Sequence, residues 1–360
     1  MASTNTNSLT SFIEKMGGDR ALRVEENLGQ GFVRLRVAEA ERRQAKHDIR
    51  CSEDVVIEML RNSRDAAAHR IFLATWREGD SRTFVILDDG QGVPENMRER
   101  IFDARVTSKL ESVHMDRWGV HGRGMALYSI KENATKARVA SSLDGGGTAI
   151  EIVADVTQLA EKTDQSSWPT LGSNDKGERV IERGPHNIIR TCCEFALEEH
   201  PGCVLYLGSP AEIVATLRSR VRNAATNSDY LFVKDLKELP VCERFCVASD
   251  ARELCEVAQG CGLPISERTA HRILSGQIKP LRDVMARLTH TGSKTSRRVD
   301  LEADQRGLSL SKDDRDEFSR MMERDFEYLA QRYYLNLSQP PRIRVSGSRV
   351  TVSFDFEGED

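Results

Sequence analysis

The sequence predicts an α+β fold: a helical layer on a mixed sheet, followed by an α/β and helical C-terminal region. Three observations carry this. Residues 52–155 alternate helical and strand patterns, and each strand pair is joined by a short polar turn. A polar stretch at 157–187, containing WPTLGSNDKG, interrupts the pattern. Beyond it helical periodicity dominates, and the chain closes on two alternating strands.

In order, residues 1–50 read as an N-terminal extension ending in an Ala-, Arg- and Glu-rich helix over 33–49. Ser52 reads as the N-cap of a second helix running to about His69, with Glu53 and Asp54 in its first turn, where the helix dipole favours anions. Val55, Ile57, Met59 and Leu60 give it an apolar side. Strands follow at Arg70–Trp76 and Arg82–Asp89; the second is nearly all apolar, as a buried central strand is. Residues 95–118 read as a short helix and a polar, lid-like segment. A helix begins near Gly124, and strands at Ala137–Ser142 and Thr148–Ala154, joined by LDGGG, complete a domain over 51–156.

Residues 157–187 read as a linker, and 188–250 as an α/β segment: helix Ile188–Glu199, strand Cys203–Leu207, helix Ala211–Arg222, and short strands at Tyr230–Val233 and Arg244–Ala248. Residues 251–298 read as helical with a break at GLPIS. Residues 299–360 read as a long helix, Lys312–Tyr334, and a hairpin turning near Gly347.

The 360 residues suffice for two or three domains. A net charge of -4 argues against bulk nucleic-acid binding and leaves room for a local basic patch. No run approaches the ~20 apolar residues of a membrane helix. The N-terminus, MASTNTNSLTSF, lacks a signal-peptide core, so a cytoplasmic protein without membrane contact is expected. The eight cysteines then read as reduced thiols. Cys242, Cys246, Cys255 and Cys261 lack the paired spacing of common zinc sites and read as small buried residues.

The chemistry concentrates in 52–155. Glu58 and Asn62, four apart in EMLRNSRD, share one helix face, with Asp65 close by. Glu58 can deprotonate a water, and Asn62 offers a neutral oxygen to a hard cation such as Mg2+. Asp88, at a strand end, can accept the exocyclic amine of adenine. Gly90 and Gly92, in DDGQGVP, let backbone approach a flat ring. Gly119, Gly122 and Gly124 precede a helix, where exposed N–H groups hold phosphate. Thr148 brings a hydroxyl close to the sheet.

The ordered set EMLRNSRDA, DDGQGVP, TSK, GVHGRG and GGGT resembles the GHKL ATPases over about residues 52–155. That superfamily includes the DNA gyrase B subunit, the large heat-shock chaperone, sensor histidine kinases and the MutL mismatch-repair protein. The resemblance implies a GHKL-type α/β sandwich, of left-handed βαβ type, that binds ATP and Mg2+. It implies Glu58 as catalytic base and Asn62 as Mg2+ ligand. Around the nucleotide it implies Asn62, Asp65, Asp88, Gly90, Gly92, Val93, Lys109, Gly119, Val120, His121, Gly122, Arg123, Gly124, Met125 and Thr148.

The Glu58–Asn62 spacing is that of the gyrase and MutL branches, and Thr107–Lys109 resembles the MutL lid. Histidine kinases instead carry a phosphoacceptor histidine upstream; His47 lacks the HExRTPL neighbours and reads as a solvated surface residue. Water attack on the γ-phosphate is thus favoured over transfer to a histidine or serine. One departure stands: the lysine that a downstream domain sends to the γ-phosphate in these branches has no clear match. Lys234 and Lys279 are bare candidates, and Lys109 is the better one.

Residues 252–288 resemble a phage-repressor-type helix-turn-helix, with glycines at 260 and 262, Ser266 capping a second helix and Pro280 opening a third. From Leu263 to Arg298 there are eight Lys/Arg against Glu267 and Asp283. Glu267, Arg268, His271 and Arg272 are the candidate DNA contacts; the alternative is a helical subdomain with a solvated basic face.

The expectation is a Mg2+-dependent ATPase acting as a conformational switch, with a homodimer as its working form and a DNA or protein partner at the C-terminal region. The alternatives are an ATP-gated DNA-binding regulator, a histidine or serine protein kinase, and a nucleotide-binding scaffold without turnover.

Overall fold

The structure, a computed structural model, describes residues 24–37, 39–108, 114–116, 119–121, 124–174, 177–220, 235–291, 312–333, 335–346 and 349–358. The chain divides into two units, residues 1–293 and 294–360.

The first unit opens with a hairpin, β1 (Val24–Gly29) and β2 (Phe32–Leu35), before helix α1 (Glu39–Asp48). The helix expected over 33–49 therefore starts at Glu39. Val33 and Arg34 are strand because they pair with Thr107 and Val106, far along the chain. Helix α2 (Ser52–Asp65) follows, with Cys51 in the extended capping position, so Ser52 is the first helical residue and not the cap. It ends at Asp65 instead of His69. Ala67 adopts φ 57°, and Asp89 accepts the N–H groups of His69 and Arg70, which draws that segment into the sheet.

Strands β3 (Arg70–Glu78) and β4 (Ser81–Asp88) lead into two 3-10 turns, Glu95–Met97 and Arg100–Phe102. Short strands β5 (Val106–Thr107), β6 (His114–Asp116) and β7 (Gly119–His121) precede α3 (Ala126–Asn133), β8 (Lys136–Ser142) and β9 (Thr148–Asp155). The stretch expected as a linker carries a hairpin, β10 (Thr170–Ser173) and β11 (Arg179–Arg183). Then come α4 (Ile188–Glu199), β12 (Val204–Gly208), α5 (Pro210–Arg220), α6 (Arg244–Val247), α7 (Ala251–Gly260), α8 (Glu267–Leu274) and α9 (Val284–Thr291).

The central sheet runs β12-β3-β4-β9-β8, with β12 parallel to β3 and the remaining pairs antiparallel. This is the expected mixed sheet under a helical layer. The strand expected in a separate α/β segment is its edge. A parallel neighbour needs a long crossover, and α4 lies on that route.

Successive side chains of a strand face opposite ways, so the apolar run of β4 feeds two cores. On one face Ile71, Leu73, Phe84 and Ile86 pack with Met59 and Leu60 of α2, Ile130 of α3 and Phe195 of α4. On the other, Phe72, Val85 and Leu87 pack with Leu217 of α5, Phe245 of α6, Leu254 of α7 and Ile273 of α8. Helices thus cover both faces.

The segment expected as a strand at Arg244–Ala248 is the helix α6, because Phe245 and Ala248 reach the second core one turn apart. The other expected strand, Tyr230–Val233, lies outside the described residues. Ser266 caps α8 as expected, its Oγ accepting the N–H of Thr269. The third helix starts at Val284, not Pro280, and the Asp283 carboxylate accepts the N–H of Ala286. Among the described residues no helix is long and apolar enough to cross a membrane.

The second unit holds α10 (Lys312–Tyr333), β13 (Leu335–Leu337), β14 (Arg342–Ser346), β15 (Arg349–Ser353) and β16 (Phe356–Gly358). β14 pairs with β15, and β13 with β16. Phe326 of α10 stacks on Phe354 at 4.9 Å between ring centres. Gly347, the expected turn of the β14–β15 hairpin, lies outside the described residues.

Candidate active site

A cavity of about 520 Å³ opens between α2, the end of β4, the 91–93 loop, the start of α3 and β9. Glu58, Asn62 and Asp65 line it from α2, as their spacing predicts. Arg61 also lines it, with Nη1 2.6 Å from Oε1 of Glu58. Arg64 donates from Nε to Oδ1 of Asp65 at 3.1 Å.

Asp88 forms the far wall and is 4% exposed. Ser63 donates from Oγ to its Oδ2 at 3.0 Å, and the Gly90 N–H donates to Oδ1 at 3.0 Å. The carboxylate is therefore oriented before any ligand arrives. Thr148 sits directly opposite Asp88 on β9. Its Oγ1 is 3.3 Å from Oγ of Ser142, which accepts the N–H of Val93 at 2.7 Å. Ser142 thereby ties the first glycine box to the third. Gly92 adopts φ +73°, and a Cβ there would collide with the Leu143 carbonyl oxygen. The loop closes on the sheet only because position 92 has no side chain.

The lining also takes in Val106, Thr107, Ser108, Gly124 and Met125. The Gly124 carbonyl accepts the Arg105 N–H at 2.8 Å. Gly119, Val120 and His121 form β7, whose backbone pairs with β6. Lys109, Gly122, Arg123 and Lys234 lie outside the described residues. His47 is exposed near the end of α1, and the cavity lining takes Gln44 and Asp48 from that helix instead.

The charged groups of the lining are Asp48, Glu58, Asp65 and Asp88, with Arg61 their one cation among the described residues. Asn62 lines the cavity and offers the amide oxygen that a hard cation such as Mg2+ takes. Sequence reading missed Arg61, Ser63 and Ser142. Arg61 was accessible to it, since i,i+3 pairing with Glu58 follows from helical spacing. Ser63 and Ser142 act across the fold and leave no local signal.

The second helical layer abuts the loop between β8 and β9. The Val241 N–H donates to the Gly146 carbonyl at 2.8 Å, and Arg244 donates from Nη1 to Oγ of Ser141 at 2.5 Å. Cys242 lies in this contact, and burial pushes its thiol well above the usual range. Cys255 and Cys261 are buried in the same core, and Cys246 is half-buried. Among the described residues no group of three or more His, Cys, Asp or Glu is placed to hold a metal.

On α8, Glu267, Arg268, His271 and Arg272 are exposed while Ala270 and Ile273 are buried. Lys279 and Arg282 are exposed beyond it. Arg287 is not part of that face: its guanidinium lies 4.2 Å from the Trp168 ring centre and donates to the Leu207 carbonyl. Lys294, Arg297 and Arg298 lie outside the described residues.

Residues 49–175 match the family described as histidine kinase-, DNA gyrase B-, and HSP90-like ATPase. The DNA mismatch repair protein MutL of Thermus aquaticus is 35% identical over 98 residues, which is 26% of this chain and 18% of that protein. MutL of Thermus thermophilus is 34% identical over 97 residues, 26% of this chain and 17% of the relative. The chain thus spans under a fifth of the length of these relatives. The cavity, its carboxylates and the glycine loops fall within or beside the matched segment, and over residues 49–175 this chain carries a GHKL-type ATPase domain.

Proposed function

We propose that the chain binds ATP with Mg2+ and hydrolyses it, using the nucleotide to switch the contacts of its C-terminal helices. The observation that carries this is the one cavity shared by Glu58, Asn62, Asp88, Gly92 and Thr148. Asp88, held by Ser63 and Gly90, would accept the adenine amine. Asn62 would hold Mg2+, which supplies charge to offset the triphosphate. Glu58 would take the proton of the attacking water. Gly124 and Met125 would face the phosphates.

The route for a switch is short. Gly146 and Gly147 belong to the loop packed on Gly92, and Gly146 accepts a hydrogen bond from Val241 at the edge of the second layer. Ordering this loop around adenine would alter what holds α6–α8. Two copies could close on the nucleotide, as the MutL and gyrase branches suggest.

The test is phosphate release together with binding of a fluorescent ATP analogue. Glu58→Ala is expected to bind nucleotide without turnover, and Asp88→Asn to lose binding. Turnover surviving in Glu58→Ala would overturn the hydrolytic role.

A second reading rests on α8. Its exposed Arg268, His271 and Arg272, backed by a buried apolar face, have the shape of a helix that enters a DNA groove. On this reading ATP gates duplex binding through the contact at Val241.

A further inference from the structure

We propose that Arg61 is a positioning residue for Glu58, its guanidinium holding the carboxylate in the orientation from which it takes the proton of the attacking water. The proposal rests on the hydrolytic reading of the site.

Three observations point to it. Nη1 of Arg61 lies 2.6 Å from Oε1 of Glu58, at i,i+3 on α2. The Arg61 side chain is 3% exposed and that of Glu58 19% exposed, so the pair sits away from bulk water. Arg61 also lines the cavity, where the other described charged groups are Asp48 from α1, Asp65 from the end of α2 and Asp88 from β4, all acidic.

A buried guanidinium stays charged and is costly to desolvate unless it meets an anion. A residue serving only to fill space on α2 would do so at less cost as an aliphatic side chain. Here the charge falls beside the carboxylate assigned to the chemistry. Anchoring Oε1 restricts how the carboxylate can turn.

In the step itself, the water oxygen bonds to the γ-phosphorus while Glu58 accepts one water proton. The bond from the γ-phosphorus to the β,γ-bridging oxygen breaks and ADP departs with its electron pair. The proton on Glu58 then returns to solvent with phosphate release. Arg61 exchanges no proton and forms no covalent bond in this sequence.

The experiment compares full-length parent, Arg61→Gln, Arg61→Lys and Glu58→Gln. Phosphate release is followed from about pH 5 to 9, alongside binding of a fluorescent ATP analogue. For Arg61→Gln the expected result is kcat lower by roughly tenfold with KM within about threefold, because misplacing a base costs rate more than binding. Its acid limb moves upward, because a carboxylate that loses a cationic neighbour protonates more readily. Arg61→Lys restores the limb and part of kcat. If Arg61→Gln binds ATP and keeps the parent kcat and acid limb, the proposal is overturned. A loss of ATP binding that accounts for the whole fall in rate also overturns it, and marks Arg61 as structural. Turnover persisting in Glu58→Gln is a different failure: it removes the hydrolytic reading itself.

Discussion

Ser63 donates a 3.0 Å hydrogen bond to Oδ2 of Asp88. The bond joins the helix that carries Glu58 and Asn62 to the strand that ends in Asp88. Both partners are buried, so geometry set at one end of the cavity is felt at the other.

Ser63→Ala removes this bond while leaving Gly90 to hold Oδ1. The expected cost is about 1 kcal/mol in stability, with ATP affinity down by roughly fivefold. Thermal unfolding and analogue titration measure the two effects. An unchanged affinity would show that Gly90 alone suffices to orient Asp88.

Gly92→Ala forces a side chain into the left-handed region and against the Leu143 carbonyl. The loop must move away from β8 and β9. The expected result is a loss of more than about 1–2 kcal/mol and little remaining nucleotide binding. Gly145→Ala is the control, since its Cβ would meet nothing within 4 Å and only the backbone term remains.

Glu161 takes Arg82 at 2.8 Å and Arg77 at 2.8 Å, beyond the end of β9. Burial opposes its charge, but hydrogen bonds and charge from Arg82 and then Arg77 outweigh it and hold the carboxyl below its ordinary value. A lowered folded-state value gives stability that is present above the unfolded value of 4.5 and lost as pH falls through the folded value. Glu161→Gln should therefore cost about 1–3 kcal/mol at neutral pH. The gap to the parent should close at the acid end of a pH series of thermal melts.

Arg268→Ala with Arg272→Ala tests the second reading. If α8 contacts DNA, duplex binding at low salt should fall by at least roughly tenfold, and its salt dependence should flatten. Phosphate release without DNA should stay at the parent level. Parent protein that shifts no duplex at low salt removes the reading.

Much of the site was legible because its chemistry is local. Glu58 and Asn62 meet through helical spacing, and Asp88 is delivered where an apolar strand runs into glycines. Ser52 illustrates a local reading that failed: one residue of phase moved the capping position to Cys51. The helix read over 33–49 failed for another reason, since pairing of Val33 with Thr107 overrides the helical propensity of its neighbours.

Residues 157–291 show the limit most clearly. Helices were foretold over the stretches that hold Leu217, Leu254 and Ile273, yet not the surface that buries them. Periodicity reports which side of an element is apolar; its partner is chosen by long-range packing. The sequence therefore specified the local machinery: the carboxylate–amide face of α2, the strand-end Asp88, the glycine turns and the capped α8. Three-dimensional packing assigned what those parts rest against. It placed β12 at the edge of the same sheet, set α5–α8 over its second face, and brought Val241 to the loop between β8 and β9.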